Sequence, residues 1–249
     1  MFSGTVISTL LGLGVGGVGI GLGGLAACCL GTKCRNYLGF ILATAAGMIF
    51  SLLAFELLPE SVEAGGITPT LLGIIIGLVI IMYIERLFHR VVIITGNPQH
   101  SLLIRSGILL AVGIAIHNLP IGFAMGAGLA NQPKVGLDLA TTMIFHNFPE
   151  GLALALPLIL ADLNRIFIFV ISSIVALPAG LGSFLGSALG EINPSVLAVF
   201  FGIAIGTILF VTWHEILSHA RKQLIWTLLV PFLALGILLG KLFTLFLIH

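Results

Sequence analysis

The sequence predicts an all-α, polytopic membrane protein with eight transmembrane helices and both termini outside. Three observations predict it. Hydrophobic residues make up 59% of the chain and charged residues 8%, with mean hydropathy +1.24, whereas a soluble domain carries about 25% charged residues because its surface must meet water. The apolar runs last about 20 residues, enough to cross a hydrocarbon core about 30 Å thick, and they are continuous rather than alternating. Lipid offers the backbone no hydrogen bonds, so only helices or a closed barrel survive in it, and the lack of alternation removes the barrel. Finally, Lys and Arg collect in alternate loops. Lys33, Arg35, Arg86, Arg90, Arg105, Arg165, Arg221 and Lys222 fall on one side, against Lys134 and Lys241 on the other. The positive-inside rule then places both termini outside.

Span one covers 4–31. No Lys or Arg precedes its apolar run and no cleavage site follows, so it reads as a span and not a removable signal. Gly14, Gly16 and Gly19 form a G-x-G-x-x-G, but a dinucleotide site would need a preceding strand and an acidic residue about 20 positions on. Neither is present, and glycines at helical intervals let helices approach closely in lipid. Cys28, Cys29 and Cys34 lack zinc-ribbon spacing and fall near the cytosolic end, where thiols stay reduced. Span two, 37–59, follows "GTKCRN", and "ESVEAGGITP" separates it from span three, 68–88. After "RVVIITGNPQHS" come span four, 102–130, "NQPK", span five, 135–160, and "ADLNR". Span six, 166–190, "EINPS", span seven, 195–219, "ARKQ" and span eight, 224–247, complete the chain. The breaks carry turn or charge signals and leave no room for a soluble domain, so 1–249 reads as a single integral-membrane unit. Small residues along spans one and six ("GSFLGSALG") would let one bundle slide on another, and fit static packing equally well.

An ionisable residue at the bilayer centre costs about 2.5–3.5 kcal/mol on insertion scales and is a functional candidate by default. "HNFPEG" begins at His146 in the middle of span five, and "HNLPIG" begins 29 positions earlier at His117 in span four. His146 and Glu150 are i and i+4, on one helix face, with Asn147 in a neighbouring direction. Pro149 and Pro120 lack an N–H and disrupt the bond to the residue four back. This predicts freed carbonyls at Phe145 and Ile116 and helices broken at mid-membrane, a construction that transport sites use. The candidate ligands His117, Asn118, His146, Asn147 and Glu150 form a mixed nitrogen–oxygen set. It suits zinc, ferrous iron or manganese and lacks the thiolates that favour copper(I). A metal would be the transported substrate, and no cofactor is expected.

Other polar residues order themselves along the bundle. Glu60 and Glu63 lie at the outer end of span two, with Glu56 a turn deeper. His214 and Glu215 lie toward the inner end of span seven, and His219, His89 and His100 at or beyond the inner surface. They read either as a relay for a cation or as solvated helix ends. A zinc-protease reading of "HEILSH" fails, because the second His must fall four residues after the first and stands instead at 219, about 100° further round the helix. A net charge of +1, with no basic arm or aromatic–basic patch, offers nucleic acid nothing. A metal-permeable channel and a non-transporting metal sensor remain alternatives to a carrier.

On these motifs the chain resembles the ZIP family of divalent-metal transporters. "HNFPEG" at 146–151 matches that family's span-five pattern, and "HNLPIG" at 117–122 matches the span-four pattern except at Ile121, where Glu is usual. "FELLPES" at 55–61 is similar to its span-two motif and "HEILSHA" at 214–220 to its span-seven motif. The resemblance implies a 3+2+3 arrangement in which spans one to three and six to eight are related by a pseudo-twofold. "FELLPE" against "HEILSH" is a faint internal echo of it. It implies metal movement toward the cytoplasm by alternating access through a site between spans four and five, zinc first, with iron, manganese or cadmium as further candidates. It also implies, in many members, a homodimer; with no appended domain or sorting signal in the sequence, a plasma or bacterial inner membrane is the expected location. Glu56, His214 and Glu215 join the metal-handling residues on the same ground. Ile121, and Leu177 where several relatives carry Glu before the span-six Pro, remove two carboxylates of a double site. One principal position on His117, His146 and Glu150 is therefore expected, with the second, at Asn118 and Asn147, weak or lost.

Overall fold

A computed structural model describes residues 2–31, 36–90, 98–190 and 193–248. Lys33, Cys34, Arg35 and the side chains of His89 and Arg90 lie outside the described residues. All regular structure among the described residues is helical. Seven helices are long and apolar enough to cross a membrane: Gly4–Leu30, Leu38–Gly65, Ile67–Leu87, His100–Asn131, Pro133–Leu160, Arg165–Leu189 and Pro194–Gln223. An eighth, Trp226–Ile248, carries a shorter described apolar stretch, Trp226–Leu242. These are the eight predicted spans.

Three boundaries differ from expectation. Span two stays helical through Glu60 and Glu63 as far as Gly65, and the turn to span three is confined to Gly66 at φ 94°, a backbone conformation that costs glycine little. Span four begins at Pro98 and span seven continues to Gln223. Local polarity suggested loops at these places, yet a helix that satisfies its own backbone persists beyond its apolar stretch. Spans six and seven start at asparagine caps: Asn164 accepts from the Ile166 N–H at 2.8 Å and Asn193 from the Ser195 N–H at 2.9 Å.

The prolines do not break the helices. Span four runs as α-helix through Pro120 and span five through Pro149 and Pro157. The irregular backbone lies elsewhere, in π-helical turns at Leu53–Leu57 of span two and Thr212–Leu217 of span seven. Such turns insert a residue into the helix and often mark functional positions. Here they hold Glu56, and His214 with Glu215.

The packing is symmetric under exchange of span one with six, two with seven, three with eight and four with five. The four–six pair maps onto five–one and three–seven onto eight–two, while one–six, four–five and two–seven map onto themselves. Glycines set the register. A Cβ on Gly47 would lie 2.1 Å from the Leu233 carbonyl and 2.9 Å from the Gly236 Cα. The counterpart on Gly202 would lie 2.4 Å from the Thr70 carbonyl and 2.8 Å from the Gly73 Cα. Gly47 thus corresponds to Gly202 and Gly236 to Gly73. Further along, the two π turns match each other, with Glu56 and Glu215 each the fourth residue of its turn, as the "FELLPE"–"HEILSH" echo aligns them.

Spans one, four, five and six pack as one half, and spans two, three, seven and eight as the other, meeting chiefly through four against seven and two against five. Span five is the most enclosed, with 78% of its apolar window buried, and span three is largely unburied, with 22%. The small residues of spans one and six lie within one half: a Cβ on Gly12 would meet the Ala179 carbonyl at 2.8 Å. They therefore pack spans one and six within one half and do not form the junction between the halves.

Candidate metal site

The two central spans bring both H-N-x-P motifs to one level. The His117 and His146 rings have centroids 5.4 Å apart with planes at 60°. Glu150, one turn beyond His146, turns toward the other helix and places Oε1 3.4 Å from His117 Nε2. All three side chains are at most 3% exposed. The i, i+4 spacing aligns His146 with Glu150 on span five, and the span pairing supplies His117. Among the described residues no three His, Cys, Asp or Glu side chains are placed so that they hold one metal ion together as they stand, so ligation by His117, His146 and Glu150 needs side-chain adjustment.

The asparagines point elsewhere. Asn118 donates from Nδ2 to the Val175 carbonyl of span six at 3.2 Å, and Asn147 lies against span one, where a Cβ on Gly19 would come within 2.5 Å of the Asn147 Cβ. These placements correspond under the exchange of halves. Polar satisfaction is the unusual feature. Nine buried side-chain nitrogen or oxygen atoms lack a hydrogen-bond partner among the described residues. All but Ser51 Oγ belong to the paired motifs: both ring nitrogens of His117 and of His146, Asn118 Oδ1, both amide atoms of Asn147, and Glu150 Oε2. Leaving a buried polar group unpaired costs about 1–3 kcal/mol, and native interiors contain few such groups. Of the eight, one nitrogen of each neutral imidazole, Glu150 Oε2 and the two amide oxygens carry lone pairs able to ligate a cation.

Leu177 does not belong to this site. It is 54% exposed, on the outer surface of span six, and the neighbouring buried positions are Ala176 and Val175, whose carbonyl receives Asn118. Helix rotation decides this, and a position counted from the span-six Pro does not report rotation. Ile121 is buried at 3% exposure and is the span-four counterpart of Glu150.

A second polar group sits toward the Lys- and Arg-rich side. Glu215, in the span-seven π turn, accepts a short hydrogen bond from the Ser106 hydroxyl of span four. His219 donates from Nδ1 to the Glu215 carbonyl at 2.7 Å, with Nε2 3.5 Å from Ser106 Oγ. That donation fixes the tautomer and leaves Nε2 with its lone pair. These residues line a cavity of about 490 Å³ between spans three, four and seven, rimmed by Glu85, Arg105 and Lys222. His219 is thus half-buried and engaged rather than a solvated helix end. Ser106 is a site residue that the sequence reading missed, since one hydroxyl in an apolar run carries no pattern. His214, exposed and stacked on Phe210 at 4.1 Å, is on the cavity wall, and Glu56 is half-buried in its own π turn. Neither belongs to the central cluster.

Between the two polar groups lies an apolar layer. Leu42, Leu110, Ala153 and Ile216, with Ser106, Glu215 and His219 on its inner side, line a void of only about 10 Å³, room for about one water. Ser106 and His117 are separated by about 16 Å along their helix.

Comparison with known proteins accords with this geometry. The family model described as ZIP Zinc transporter matches residues 94–248, the segment holding both motifs and the span-seven turn. The chain is 29% identical over 228 residues to zinc transporter ZupT of Chlorobium limicola, covering 83% of this chain and 85% of that protein. It is 29% identical over 230 residues to zinc transporter ZupT of Xanthomonas axonopodis pv. citri, covering 83% and 82%. To zinc transporter ZupT of Corynebacterium aurimucosum it is 27% identical over 204 residues, covering 75% and 77%. With a family match over most of its length and membrane-length helices throughout, the chain is a multi-pass membrane protein and belongs to the ZIP zinc transporter family.

Proposed function

We propose that this protein carries a divalent transition-metal ion, zinc first, toward the cytoplasm, with His117, His146 and Glu150 as the principal mid-membrane position. The family is one of transporters rather than enzymes, and the named relatives are zinc transporters. The observation that carries the residue-level reading is the cluster of buried, unpartnered nitrogen and oxygen atoms on the paired motifs. A divalent cation uses those lone pairs and offsets the cost of burying them. Neutral imidazole and a carboxylate are ligand types that suit zinc. Asn118 Oδ1 and Asn147 Oδ1 are the remaining oxygen donors, turned toward spans six and one, and they require side-chain rotation to join.

Release follows the topology. Metal leaving the central position toward the Lys- and Arg-rich side meets His219 Nε2, Glu215 and His214 at the inner cavity, and the layer of Leu110, Ala153 and Ile216 closes the way between. Displacement of the one–four–five–six half against the other opens that layer, in an alternating-access cycle of the kind built from repeats in other transporters. Both termini lie outside in this reading, as the charge distribution requires.

The test is initial-rate uptake into proteoliposomes across zinc, cadmium, iron(II) and manganese, for the wild type and Glu150→Ala. Saturable uptake lost in the variant, with insertion and folding intact, is the expected result and names the preferred ion. Fast, weakly saturating flux would indicate a channel instead. Uptake unchanged in Glu150→Ala would remove the site assignment.

A further inference from the structure

The outer face shared by spans one and six carries a groove that the transport reading does not use. It encloses about 380 Å³, within the usual range for a small-molecule site. Gly21 and Gly24 form its floor, and Leu25, Ile168 and Phe169 its walls. Leu25 and Phe169 are 53% and 59% exposed, which on a membrane-spanning helix means exposed to lipid. At one end the groove meets Cys28, Cys29 and the Arg165 side chain, at the boundary of the span on the side where Lys and Arg collect. Arg165 is exposed and forms no ion pair among the described residues.

We propose that this groove is a binding site for an anionic phospholipid of the cytoplasmic leaflet, with its phosphate on Arg165 and an acyl chain in the glycine-floored channel. The two ends of the site match the two ends of such a molecule. The lining between the ends is apolar apart from Ser172, and Arg165, with no ion pair among the described residues, stands at headgroup level. A guanidinium meets a phosphate with paired, charge-assisted hydrogen bonds, and anionic lipids are attracted to basic residues at that surface. The missing Cβ atoms make the depth: Gly21 has nothing within 4 Å of where its Cβ would lie, and Gly24 only Ser172 Oγ at 3.4 Å. A lipid here would brace span one against span six, within the half that carries the proposed metal ligands.

The openness at Gly21 supplies the critical variant. Gly21→Leu projects into the groove without meeting backbone, so it fills the channel and leaves the fold intact, while Arg165→Ala removes only the exposed charge. Full-length wild type and both variants are titrated with phosphatidylglycerol and with phosphatidylcholine, and bound lipid is read by native mass spectrometry. A second readout is the rate of maleimide labelling at Cys29, in a Cys28→Ser, Cys34→Ser background. The wild type should prefer phosphatidylglycerol about fivefold, the effect of one basic residue near an anionic surface. Arg165→Ala should abolish the preference, Gly21→Leu should weaken binding of both lipids, and phosphatidylglycerol should slow labelling at Cys29. Equal binding by wild type and Arg165→Ala, or no effect of Gly21→Leu, overturns the proposal. Protection by inorganic phosphate equal to that by the lipid overturns it in favour of a simple anion site. Protection that rises with protein concentration and needs no added lipid overturns it in favour of a second copy of the chain.

Discussion

Ile121 shows most clearly how one side chain tunes the central site. Glu150 reaches His117 across the span-four/span-five contact, and the exchange of halves puts Ile121 in the corresponding relation to His146. In the proposed site, one carboxylate therefore faces the doubly charged ion where two could stand. Ile121→Glu should tighten equilibrium zinc binding by at least about tenfold, 1.4 kcal/mol, and slow release. Isothermal titration in detergent measures the first and the uptake rate the second. Unchanged affinity would mean that Ile121 does not face the metal. Glu215 is the contrasting case. Its carboxylate is held by Ser106 and its carbonyl by His219, so its partners are already in place and a metal there would compete with hydrogen bonds rather than relieve unpaired atoms.

At the scale of the helix, glycine decides where spans touch. The carbonyl of Ile20 would lie 2.2 Å from a Cβ on Gly151, whereas a Cβ on Gly14 would meet nothing within 4 Å. Gly151→Ala should therefore force spans one and five apart and destabilise the protein by about 1–3 kcal/mol, the usual cost of overpacking. Gly14→Ala should be neutral or stabilising by up to about 1 kcal/mol, since alanine is the better helix former. Thermal unfolding in detergent compares the two directly. Loss of stability in Gly14→Ala equal to that in Gly151→Ala would remove close approach as the cause. The π turns act differently. By inserting a residue they rotate Glu215 inward toward Ser106 while the rest of span seven keeps its lipid-facing side.

For the whole molecule the question is relative motion of the two halves. Gly113 of span four and Val211 of span seven face each other across their junction, with the Val211 Cβ 3.5 Å from where a Gly113 Cβ would lie. That separation suits a disulfide. In a background lacking the native cysteines, the Gly113→Cys, Val211→Cys pair should cross-link on oxidation and arrest uptake, with reductant restoring it. Full uptake by cross-linked protein would exclude movement between the halves at this junction. Acidification should act on the whole cycle through ligand protonation. Imidazole and carboxylate bind metal in their deprotonated forms, so apparent zinc affinity should fall as pH is lowered and recover on return. A site built of backbone carbonyls would be insensitive, and proteoliposome uptake at fixed free zinc separates the two.

The class of the protein, its eight spans and the location of its central motifs are determined by the sequence alone. Hydropathy, charge placement and the i, i+4 spacing of His146 and Glu150 are local properties that a bilayer converts directly into structure. The meeting of His117 with Glu150 was legible too, because two copies of one motif on consecutive spans have few ways to pack. Tertiary structure decided everything that depends on helix rotation and on neighbours. It turned Leu177 outward and Val175 inward, and kept the helices intact through Pro120 and Pro149. It also placed the irregular turns in spans two and seven and gathered Ser106, Glu215 and His219 from two distant helices. The physical reason is common to all of these. In lipid a helix satisfies its own backbone, so its sequence sets where it begins and ends, while its rotation is set by the close packing of glycine and side chains on other helices.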